Sequence, residues 1–203
     1  MRKGKVVTMG FDNGCTGTLA AFVDGRLVDF REQFSYRWRK PHVLTRNSYM
    51  SRIDFPRLVE WIASKKALAA RCLAVVERPM TDETRLHQTL SSHHAQEALM
   101  IALEQSGVPY MTVDSSAWQR RYLPGISGSV LLKAASAERA AAEYPEFAEA
   151  VRAHGDADAV FIARTAVDAP ESFVPDSERP PAEERKFKSR KFTTNFGGRN
   201  GKG

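Results

Sequence analysis

The chain has 203 residues and a mass of 22.7 kDa, which suits one compact domain with a tail and is large enough for a real core. At 42% hydrophobic and 27% charged residues it is composed like an ordinary globular protein, no apolar run reaches the roughly 20 residues of a membrane helix, and the start Met1-Arg2-Lys3 lacks the apolar stretch of a secretory signal. Cys15 and Cys72 are the only cysteines and have no CxxC spacing, which excludes a zinc ribbon and a disulfide scaffold and leads us to expect a reducing, cytoplasmic setting.

Residues 5–12 (KVVTMGFD) form a short β-rich run that stops at the turn pair Asn13-Gly14. Residues 17–23 read as a second strand, Asp24-Gly25 as a two-residue hairpin turn, and 27–34 as a third strand, which together make an antiparallel meander. A basic loop follows, and Asp54 then opens a helix with Leu58, Trp61 and Ile62 on one face. Residues 72–77 (CLAVVE) are nearly all apolar, as expected of a strand buried on both faces. A polar loop over 78–88 leads to a helix over 89–106, stopped by Gly107 and Pro109. A fifth strand is predicted over 110–113, a short helix over 115–121 and a flexible hinge over 125–128. An Ala-rich helix over 130–143 ends before Pro145, and a last helix spans 156–167. The predicted class is α/β, with a mixed five-stranded sheet (three antiparallel strands, then two parallel) flanked by helices.

Thirty Lys and Arg against 24 Asp and Glu leave a net charge of +6. The tail from residue 179 onward holds eight basic and two acidic residues and so carries the whole excess. With Pro180-Pro181 and a Gly-rich end, the tail reads as disordered, and we place the domain boundary at 1–169 against 170–203. Within the neutral body, residues 34–53 concentrate Arg37, Arg39, Lys40, Arg46 and Arg52 among Tyr36, Trp38 and Tyr49, with no acid. A second cluster holds Trp118, Arg120 and Arg121. Guanidinium groups grip phosphates and aromatic rings stack on bases, so both clusters are candidate nucleic-acid contacts.

Asp12 closes the first strand and Glu77 the buried one. An unpaired carboxylate is poor core material, so each is either a solvated strand end or part of a site. If the two strands are central neighbours, their ends bring both acids to one edge of the sheet. A third acidic segment, His154-Gly155-Asp156-Ala157-Asp158, opens the last apolar helix. One aspartate there serves as a cap, but Asp158 lies beyond what one cap needs and calls for a cation. Converging carboxylates without cysteine ligands suit Mg²⁺ or Mn²⁺ rather than zinc. Two such ions about 4 Å apart perform phosphodiester hydrolysis.

The motif Gly10-Phe11-Asp12-Asn13-Gly14 followed by Gly17, the Val75-Val76-Glu77 run and the Asp156-Ala157-Asp158-Ala159 run resemble the RuvC family of Holliday-junction resolvases, which have an RNase H-like fold. The stretch 77–80 (ERPM), the helix with Glu97, Leu103 and Glu104, and 107–119 (GVPYMTVDSSAWQ) resemble its bacteriophage branch, and the likeness covers about residues 5–168. It implies a divalent-metal endodeoxyribonuclease working in DNA recombination and repair, a homodimer that nicks two strands symmetrically across a four-way junction. It implies no membrane and no small-molecule cofactor, and host cytoplasm if the chain is phage-encoded.

By the same likeness Asp12, Glu77 and Asp158 match the metal-binding acids and Lys133 a basic position near the site, while helix 89–106 is the expected dimer surface. Two positions depart from the family pattern: Asn13 replaces a proline, and Gly155 stands where a fourth acid or histidine is usual. Asp156 is the preferred fourth ligand and His154 the alternative. Two other readings compete. Residues 12–18 (DNGCTGT) also resemble the first phosphate loop of actin-like ATPases and sugar kinases, although a second copy of the fold has no room here. A non-catalytic junction- or RNA-binding module on the same scaffold is the other.

Overall fold

Strict alternation along the first strand decides which side of the sheet each residue serves. The computed structural model describes residues 4–39, 49–81, 84 and 86–178, with the side chains of Arg39, Leu86 and His87 outside that description. The strands are β1 (Val6–Phe11), β2 (Thr18–Val23), β3 (Arg26–Glu32), β4 (Ser35–Arg39), β5 (Tyr49–Ile53), β6 (Arg71–Glu77) and β7 (Tyr110–Val113). The helices are α1 (Phe55–Lys66), α2 (Leu86–Gln105), α3 (Ser115–Tyr122), α4 (Ser129–Glu143), α5 (Ala148–His154) and α6 (Asp158–Val167). The main sheet has the order β3-β2-β1-β6-β7. Its first three strands are antiparallel, and β6 and β7 run parallel to β1. This is the expected mixed sheet, three antiparallel strands followed by two parallel ones.

Val7, Met9 and Phe11 of β1 point to one face, where they pack with Leu58, Ile62, Leu99 and Leu103 of α1 and α2. The opposite face carries Ala20 and Phe22 of β2 and Leu73 and Val75 of β6, covered by Val160, Phe161 and Ala163 of α6 and by Trp118 of α3. Helix α6 can lie this close to β1 because residue 10 is glycine: a Cβ there would stand 2.1 Å from the Ala159 carbonyl oxygen. The turn between β2 and β3 is the expected one, with Asp24 and Gly25 both at positive φ (48° and 81°).

Two local expectations are corrected. The stretch read as a basic loop contains an antiparallel pair, β4 with β5, whose alternating Tyr36, Trp38 and Tyr49 give a strand pattern that the arginines obscured. Helix α5, which had no place in the sequence reading, ends at Gly155 in the left-handed conformation (φ 88°), so the final helix begins at Asp158 and not at Asp156. Among the described residues no helix is long and apolar enough to cross a membrane. Lys40, Arg46 and residues 179–203 of the expected tail lie outside the described residues, whereas its first part, 170–178, forms short turns at Pro170–Ser172 and Asp176–Glu178 and packs Phe173 against the core.

Candidate active site

In the parallel ladder Phe11 lies opposite Val76. The next residue on each strand, Asp12 and Glu77, therefore stands side by side with its neighbour and turns to the α6 face, close enough for the two carboxyl groups to shift each other's titration. The other two acids come from the bend between α5 and α6. After the Gly155 cap, Asp156 and Ala157 cross to the start of α6 at Asp158. Thr18, the first residue of β2, fixes that bend: its Oγ1 donates to Asp156 Oδ1 at 3.4 Å and accepts from the Ala159 N–H at 3.3 Å. Ser136 of α4 accepts from the Ala157 N–H at 3.1 Å. As a result, carboxylate oxygens of Asp12, Asp156 and Asp158 lie within 4.8 Å of one another.

These acids are buried, and like charges face one another. Burial first, then the neighbouring charges of Glu77 and Asp156, pushes Asp12 up to about 8. Burial and the charge of Asp12 raise Asp158 to about 7, with Ser136 pulling the other way. Glu77 is also raised, chiefly by burial, although its hydrogen bond from Trp118 opposes the shift. Asp158 Oδ1 is buried without a hydrogen-bond partner. A buried set of oxygen donors that repel one another and leave one oxygen unsatisfied fits a hard divalent cation. Asp12, Glu77 and Asp158 line a cleft of about 480 Å³ together with Asn13, Met80 and Lys133.

Lys133 Nζ sits 2.7 Å from Asp156 Oδ2 and is half exposed at the cleft. Although burial works against its charge, the hydrogen bond and the acids around it hold its pKa above the usual lysine value. His154 reaches the cluster only through Asp156, with Nε2 3.4 Å from Oδ2, while its Nδ1 lies 3.3 Å from Glu32 Oε1. Glu77 and His154 are not among the atoms of the 4.8 Å group.

On the hairpin, Arg37 stacks over Tyr49 at 4.9 Å and Arg52 over Trp38 at 5.1 Å, with both arginines exposed. Arg120 and Arg121 are exposed on α3. Trp118 corrects an expectation: it is fully buried, and its indole N–H donates to Glu77 Oε1 at 2.9 Å, so it has no free face for a base. The sequence did hold a signal for this, because Trp118 and Tyr122 are an i, i+4 pair on the buried side of α3. Nothing in the sequence marked Thr18 or Ser136, whose roles depend on contacts across 138 and 21 residues.

The chain thus joins a mixed five-stranded sheet to a buried carboxylate cluster at the ends of its central strands. No family model matches it, and no curated protein matches it. Among solved structures it is similar to Thermus thermophilus RuvC in complex with a Holliday junction substrate, with 15% identity, a TM-score of 0.45 and coverage of 79% of this chain and 96% of that one. It is also similar to a second Thermus thermophilus RuvC structure, with 14% identity, a TM-score of 0.43 and coverage of 83% and 98%. At these identities and TM-scores function has to be argued from the site's own residues.

Proposed function

We propose that this chain is a divalent-metal-dependent endonuclease of the phage resolvase type. In this reading it nicks branched DNA, four-way junctions foremost, as a homodimer that meets through the exposed side of α2. The observation that carries the proposal is the convergence of Asp12, Asp156 and Asp158, with carboxylate oxygens within 4.8 Å of one another, beside a cleft that Asp12, Glu77 and Asp158 line together. These carboxylates would hold the divalent cation, Mg²⁺ or Mn²⁺ and two per site in this reading. Bound there, the metal supplies positive charge that polarises the phosphodiester and acidifies water.

The protein's own groups supply position. Asp156 is engaged at both oxygens, by Thr18 and by Lys133, and so orients the ammonium toward the cleft, where it holds a scissile-strand phosphate. Arg37 and Arg52 on the hairpin and Arg120 and Arg121 on α3 track the flanking backbone.

The test is a nicking assay on a labelled immobile four-way junction, with linear duplex and single strands beside it, in Mg²⁺, Mn²⁺ or EDTA. Paired symmetric cuts confined to the junction and absent in EDTA are expected. Asp12→Asn should reduce cutting by at least about 10³-fold, in line with losing a group that acts on the transition state, while junction affinity in EDTA is kept. Junction binding without metal-dependent cuts would move the chain to the class of binding modules.

A further inference from the structure

Glu77 reaches the cluster differently from the aspartates. Asp12 is fixed by the strand that precedes it, and Asp156 and Asp158 by the bend into α6. Glu77 has a longer side chain with one more rotatable bond, and it could turn along the cleft wall. Trp118 holds one of its carboxylate oxygens. The indole is fully buried in the core cluster that also holds Val75, Phe161 and Ile162, and its only polar atom donates to Glu77 Oε1 at 2.9 Å. A buried indole N–H needs an acceptor, and this one is a carboxylate at the mouth of a cleft. The pairing therefore ties a rigid core ring to a group of the candidate metal centre.

We propose that Trp118 is a positioning residue that holds the Glu77 carboxylate for metal binding, acting through Glu77 and touching neither metal nor DNA. This rests on the carboxylate reading above. Outer-shell hydrogen bonds of this kind set ligand orientation, and losing one typically costs about 10–100-fold in metal affinity.

The probe is Mn²⁺ alone, titrated calorimetrically and by electron paramagnetic resonance into wild type, Trp118→Phe and Asp12→Asn, each checked for fold by circular dichroism. A second form carries 3-benzothienyl-alanine at position 118, which keeps the bicyclic shape and lacks the N–H, so a packing defect in the phenylalanine variant does not stand in for the lost hydrogen bond. The expected result is Mn²⁺ binding weakened about tenfold or more in both forms. The metal midpoint for junction nicking should rise in step, the rate should recover toward wild type at saturating Mn²⁺, and junction affinity in EDTA should be unchanged. Mn²⁺ affinity within about twofold of wild type for the isostere, while Asp12→Asn loses binding, would overturn the role of Trp118 and leave the carboxylate site standing. Full Mn²⁺ affinity in Asp12→Asn would overturn the carboxylate site itself, and this inference with it.

Discussion

Asp12 reaches its place only because residue 17 has no side chain. A Cβ on Gly17 would lie 2.7 Å from the Asp12 carbonyl oxygen and 2.8 Å from Oδ2 of its carboxylate. Gly17 is thus part of the site, although it carries no chemistry of its own. Gly17→Ala should leave a folded chain whose nicking rate falls about 100-fold, the scale of loss for a reacting group displaced by about an ångström. Single-turnover nicking beside a circular dichroism spectrum measures this, and wild-type rates in Gly17→Ala would mean that the Asp12 carboxylate is free to shift without consequence.

Among the elements, α6 carries the most weight, because it covers the central strands and also delivers Asp158. Its approach to β1 is set by Gly10, whose missing side chain leaves room for the Ala159 carbonyl and for the backbone and side chain of Ala163. A methyl group there meets backbone, which cannot swing aside. Gly10→Ala should therefore destabilise the fold by about 1–3 kcal/mol or more, as overpacking does, and denaturant unfolding reads it directly. The strands around this contact were legible in the sequence because alternation and apolar runs record burial. The β4–β5 pair was hidden because exposed arginines on a hairpin look like a solvated loop. Helix α5 was hidden because seven residues are too few to show a helical period.

At the scale of the whole molecule, the clustered acids make stability depend on pH in a definite direction. Asp12 and Asp158 titrate near 8 and near 7 in the folded chain, against an ordinary aspartate value of 3.8 when unfolded. Between those limits the native state binds more protons than the unfolded state, so stability falls as pH rises from about 4 to about 8. In EDTA the midpoint of thermal unfolding should decline across that window, Asp12→Asn should flatten the decline, and Mg²⁺ should restore stability at pH 8. A flat profile in EDTA would mean that the acids are not mutually exposed as their geometry requires.

Much of this protein is determined by its sequence alone. Strand period, turn residues and apolar runs set the order of the elements, and the chain positions of Asp12, Glu77 and the pair at 156 and 158 mark them as acids at element ends, because local propensity and burial are written residue by residue. What only the tertiary structure decided is which of those groups meet. The β1–β6 register set Asp12 beside Glu77, Thr18 fixed the bend that aims Asp156, and Trp118 proved to be a buried partner of Glu77 and not a surface ring. Contacts of this kind join residues far apart in the chain, and packing creates them only after the sheet has closed, so no local pattern encodes them.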